Sequence, residues 1–168
     1  ILDVLCHTLS LGILCPIAGW CLSDSSGLIN AFSNFPFLYL LSISFYVTAL
    51  HSPTMAVDFD ADIKSGITTF ATKFGAKRTM LFSWLLTTAG AFVLFVSGVL
   101  VIEPWSSRIF LLTGWLLPLE SLVHYFVLPV DKIPTYSTVF RGTIILATVE
   151  AFFTLFFLYL YVSEAALP

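Results

Sequence analysis

The chain alternates long apolar runs with short polar interruptions. Five runs, approximately 4–22, 35–57, 79–102, 109–130 and 143–162, are long enough or nearly so to cross a membrane. A hydrocarbon core about 30 Å thick takes about 20 helical residues. A spanning helix can be apolar all round, so amphipathic periodicity says little here. Breakers set the boundaries instead. Ser23-Asp24-Ser25-Ser26-Gly27 closes the first run, and Pro104 parts the third from the fourth. Pro129, Asp131 and Pro134 close the fourth. Pro16, Pro53 and Pro118 fall inside runs or near their ends, where spanning helices tolerate proline. The pattern predicts an all-α, polytopic transmembrane bundle of five helices.

Composition agrees with that pattern. Hydrophobic residues make up 58% of the 168 residues and charged residues 10%, against about a quarter charged in soluble domains. Mean hydropathy is +0.99. The expected partner is the lipid bilayer. Without a basic stripe or zinc-finger spacing, nucleic acid is not expected as a partner. No charged segment and cleavage site precede the first run, so no signal peptide is expected and the start reads as internal. Cys6, Cys15 and Cys21 all lie in that run, and an odd, clustered set argues against a disulfide framework. They read as small apolar side chains on a membrane helix.

Charge supplies orientation. The link between the second and third runs holds Lys64, Lys73, Lys77 and Arg78, and the link between the fourth and fifth holds Lys132 and Arg141. The opposite side holds Arg108. The excess of cations predicts that loop 58–78 faces the cytoplasm.

That loop also holds the most unusual chemistry in the chain. In VDFDADIKSGITTFATKFGAKRT, residues 57–79, three of the six aspartates fall within five positions. An EF-hand begins D-x-D-x-D, but it needs Gly at its sixth position and Glu at its twelfth. Ile63 and Thr69 stand there, which removes the calcium loop. As the last turn of the second helix, the stretch sets Asp58 and Asp62 on one face and Asp60 on another. Two carboxylates on one face repel unless a cation lies near them. Mg²⁺ takes one or two carboxylates, waters and phosphate oxygens. Cations behind the aspartates suit the remaining phosphate charge. The alternative is a solvated loop whose charges only fix topology.

Asp58-Phe59-Asp60-Ala61-Asp62-Ile63-Lys64-Ser65-Gly66, followed by Ile67-Thr68-Thr69 and Lys73-Phe74-Gly75, resembles the second aspartate-rich motif of the UbiA superfamily of intramembrane prenyltransferases. The match covers about 20 residues, the length of one span. The resemblance implies nine transmembrane helices around a cavity, with two aspartate motifs that bind a prenyl diphosphate through Mg²⁺. This chain carries no N-D-x-x-D-like first motif, so its five runs would correspond to helices five to nine. It would then be a C-terminal half, inactive without the N-terminal helices of the same protein. The implied reaction is Mg²⁺-dependent transfer of a prenyl group to a hydrophobic aromatic or isoprenoid acceptor.

On that resemblance Asp58 and Asp62 are the metal ligands and catalytic residues, with Asp60 joining through water. Lys64, Arg78 and His51 are the candidate substrate contacts, His51 near the acceptor or else a hydrogen-bonded interface residue. Lys73, Lys77 and Arg78 also suit topogenic charges. Gly66 suits a turn, and Thr68 and Thr69 suit capping hydroxyls. Glu120 and His124, i and i+4 in the fourth run, suit an internal pair that orients a helix. His7 reads as interfacial, Glu150 as facing a bundle neighbour, and Trp20, Trp84, Trp105 and Tyr161 as aromatic belts.

Three other classes compete. A transporter would hold its ion near the bilayer midplane rather than at a helix end. A CDP-alcohol phosphotransferase would carry Asp-Gly and Ala-Arg pairs between its aspartates, which this chain lacks. A non-catalytic membrane protein would not need the paired aspartates.

Overall fold

The computed structural model describes residues 2–23, 37–101, 119, 121–128, 130 and 132–165, and every regular element among them is helical. The first run is one long rod. It starts as α1 (Leu2–His7), widens to π geometry over Thr8–Leu14, and returns to α2 (Cys15–Ser23). α3 (Phe37–Val57) is followed by two short helices, α4 (Phe59–Ser65) and α5 (Phe70–Phe74). α6 is Ala76–Val101, α7 is the stretch 121–127, and α8 is Tyr136–Ala165.

Three helices among the described residues are long and apolar enough to cross a membrane: Leu2–Gly19, Leu40–Val57 and Ala76–Val96. They match the first three predicted runs. Residues 109–118 of the fourth run lie outside the described residues, as do Trp105, Arg108 and Glu120. α8, 30 residues long, contains the fifth run, and the side chains of Glu150 and Tyr161 on it are outside the described set.

Small residues bring the helices together. α3 packs chiefly on α6 and on the π segment. A Cβ placed on Gly12 would lie 2.9 Å from the Ser44 Cα, so only glycine lets these two backbones meet. On the other side of α3, Ala49 and Ser52 are fully buried, as are Thr79, Met80, Ser83 and Thr87 on α6. Small and hydroxyl-bearing contacts replace a hydrophobic drive that lipid cannot supply.

A serine hydroxyl from a neighbouring helix repairs the break at Pro53, and another lies close to the one at Pro16. A proline inside a helix cannot donate to the carbonyl four residues back. For Pro53 that carbonyl belongs to Ala49, and Ser83 Oγ donates to it at 2.6 Å. For Pro16 it belongs to Gly12, which lies 3.0 Å from Ser44 Oγ, while the Leu40 carbonyl on α3 competes for the same proton at 2.8 Å. The π turn lies immediately before Pro16, where a wider turn relieves the clash of the ring with the preceding backbone.

His124 completes the α3–α6–α7 seam. It is fully buried. Thr87 Oγ1 lies 2.8 Å from Nδ1 and Ser83 Oγ lies 3.4 Å from Nε2. Ser83 spends its proton on Ala49, so its oxygen accepts from Nε2–H, and Nδ1 accepts from Thr87. Among the described residues the partners of His124 are therefore hydroxyls on α6; Glu120, its expected partner, lies outside them. Trp84, expected in an aromatic belt, donates its indole N–H to the Ser121 carbonyl at 3.1 Å.

Candidate functional site: the aspartate hairpin

The helical ladder is interrupted by a bend at the end of α3. Asp58 N–H donates to Thr54 at 3.1 Å, and Asp62 N–H donates to Asp58 at 2.8 Å. Asp58 has φ −78° and ψ −3°, at the opened edge of helical space, so α3 stops at Val57 and α4 starts at Phe59. Asp60 and Asp62 therefore sit on a separate short helix with Asp58 at its N-cap, a correction to their expected place on the last turn of the second helix. The bond from Asp62 N–H to the Asp58 carbonyl sets these two residues one turn apart, so they share a face. Asp60 is exposed on another side of α4.

The predicted loop 58–78 is mostly helical, because local capping chemistry closes each turn. Gly66 ends α4 in the left-handed region at φ 70°. Gly66 N–H bonds Ile63 at 3.2 Å and Ile67 N–H bonds Asp62 at 2.9 Å, the paired closure of a Schellman motif. Thr69 caps α5 in a reciprocal box with Thr72. Gly75, at φ 93°, turns the chain from α5 into α6. As anticipated, Gly66 makes the turn and Thr69 supplies a capping hydroxyl. Lys77 and Arg78 are exposed on the first turn of α6, not in a loop. Lys64 is exposed on the last turn of α4.

Of the contacts that tie the hairpin to the bundle, two are made by polar side chains distant in the sequence and are not visible in a local pattern. The Asp3 carboxylate at the start of α1 accepts from Phe70 N–H at 3.1 Å, and Ala71 is fully buried beside Val4 and Met55. The second contact comes from the start of α8, where the Tyr136 hydroxyl donates to Asp58 Oδ1. Donation to Asp58 raises the phenol above its usual 10.0, and the charges of Asp58 and Asp62 add to the rise. The Tyr136 contact places the 58–78 hairpin and the segment 132–135 at the same end of the bundle. The charge alternation along the sequence had put the two links on one side.

His51 points to α1. Its ring stacks on His7 with centroids 3.8 Å apart and planes 11° apart. Thr54 Oγ1 lies 3.5 Å from its Nδ1. The ring therefore lies between α3 and α1. No group of three or more His, Cys, Asp or Glu converges among the described residues. The donor set at the hairpin is two carboxylates on one face. That is compatible with Mg²⁺, which keeps several waters and shares phosphate oxygens.

No family model, curated protein or solved structure matches the chain.

Proposed function

We propose that the chain is an integral membrane protein carrying one half of a prenyl diphosphate site, and that it serves a Mg²⁺-dependent prenyltransferase of UbiA type. One observation carries the reading. Asp58 and Asp62 stack one turn apart where a candidate span ends, in a hairpin whose glycines and threonines each have a fixed structural task. On this reading the hairpin faces the cytoplasm. A second aspartate motif, on N-terminal helices of the same protein, completes the site.

Asp58 and Asp62 would hold the metal, and Asp60 would reach it through water. The chemistry that Mg²⁺ held there would supply is neutralisation of the charge developing on a departing diphosphate. Lys64 and Arg78 supply further positive charge toward the phosphates. The allylic C–O bond breaks with its electron pair leaving on diphosphate. A carbon of the hydrophobic acceptor, aromatic or isoprenoid, then forms the new C–C bond and loses its proton to the released diphosphate. The helices exclude water from this step, which protects the allylic cation from quenching. His51 would lie on the acceptor side through its place between α1 and α3.

The test is prenyl transfer by the full-length protein in membranes, with a radiolabelled prenyl diphosphate. Transfer is expected to require Mg²⁺ and to vanish when Asp58→Ala and Asp62→Ala are combined. Transfer that persists in the double variant removes these residues from the site.

A further inference from the structure

We propose that Tyr136 is a positioning residue of the magnesium–diphosphate half-site, holding one oxygen of Asp58 so that the other faces the cation; this rests on the reading given above. Asp58 occupies the N-cap position of α4, where an aspartate ordinarily accepts from the N–H groups of the first turn. Its side chain makes no such bond. At φ −78° and ψ −3° the residue is already helical, whereas a capping residue is typically extended. The carboxylate turns instead to the Tyr136 hydroxyl, 78 positions along the chain. The contact is not a by-product of core packing, since the Tyr136 side chain is 67% exposed. The phenol is held by α8, whose first turn is capped by Thr135 through Thr138 N–H at 3.3 Å. Behind it Val139 and Leu146 enter the core cluster with Ala56 and Met80. The base of α8 is thereby fixed against the ends of α3 and α6, and Tyr136 with it. A donor that takes up one Asp58 oxygen limits that carboxylate to one rotamer and one free oxygen. Partners of this kind around metal ligands typically alter metal affinity by 10–100-fold.

The probe is radiolabelled inorganic pyrophosphate bound to the full-length protein in lipid nanodiscs, titrated with Mg²⁺. In Tyr136→Phe the half-saturating Mg²⁺ concentration should rise about tenfold, with pyrophosphate capacity at saturating Mg²⁺ unchanged. Capacity counts folded sites, so a purely structural role would lower capacity and leave half-saturation alone. That result, or no change in either quantity, overturns the proposal while Asp58→Asn with Asp62→Asn still abolishes binding. If the double variant binds as the wild type does, the diphosphate reading itself falls, and the role of Tyr136 with it.

Discussion

Gly66 and Gly75 show how closely single residues define the hairpin. Both have positive φ, 70° and 93°, and no other described residue does. A Cβ at either would meet nothing within 4 Å, so the penalty of a substitution is conformational and not steric. Gly66→Ala should cost about 1 kcal/mol, the usual cost of a left-handed residue with a side chain. Gly66→Asn should cost less, since Asn tolerates that region. Gly75→Ala should cost more than Gly66→Ala, because φ 93° with ψ 145° lies outside the left-handed helical basin altogether. Thermal unfolding in detergent would rank the three. Tyr136 gives a pH signature at the same scale. Its phenol pKa is raised in the folded protein, so its bond to Asp58 is intact below the unfolded value of 10.0 and lost as pH rises through the folded one. The difference in melting temperature between wild type and Tyr136→Phe should be constant from about pH 6 to 9 and shrink above about 10. A difference that falls through neutral pH would assign the effect to another group.

Between elements, the decisive groups are hydroxyls and glycines at helix seams. Ser83 serves two partners: its proton satisfies the carbonyl that Pro53 leaves on Ala49, and its oxygen receives His124. Ser83→Ala should therefore destabilise by about 1–2 kcal/mol, the cost of a buried acceptor left unsatisfied. Introducing Pro53→Ala into that variant should recover much of the loss, because the helix then supplies the missing N–H. Equal losses from Ser83→Ala in both backgrounds would contradict the repair. Gly12→Ala meets backbone, the Ser44 Cα at 2.9 Å, whereas Gly142→Ala meets the Leu128 side chain at 2.6 Å. A side chain can rotate away and a helix backbone must be displaced. Gly12→Ala should be the more destabilising of the two in the same unfolding measurement, and Gly19→Ala, with open space around it, close to neutral.

These seams also explain which elements were legible in advance. The first three runs were readable because apolar length alone predicts a spanning helix. The turn glycines and the Thr69 cap were readable because their causes are local. The π turn before Pro16, the stack of His7 on His51 and the hydroxyl partners of His124 were not. Each depends on which face of one uniformly apolar helix meets which face of another, and no polar stripe records that choice. The short helices α4 and α5 were hidden for a different reason. Their polar, charge-bearing sequences look like a solvated link, and the Schellman and capping-box hydrogen bonds turn it into structure.

Across the whole molecule, the hairpin, the start of α1 and the base of α8 converge at one end of the bundle. Asp3 holds α5, Tyr136 holds Asp58, and the short α4 presents Asp58 and Asp62 on a common face. Sequence spacing found the paired aspartates and set Asp60 apart from them. The Tyr136 contact had only a topological signal, the charge alternation that put its link on the same side. The measurement closest to the central claim is Mg²⁺-dependent binding of a prenyl diphosphate to the full-length protein in nanodiscs. Wild type should bind with Mg²⁺ and release when the metal is chelated. Asp58→Asn with Asp62→Asn should weaken binding by tenfold or more, about 1.4 kcal/mol or greater, while Asp60→Asn changes it little. Binding that ignores Mg²⁺, or a double variant that binds like the wild type, would contradict the account.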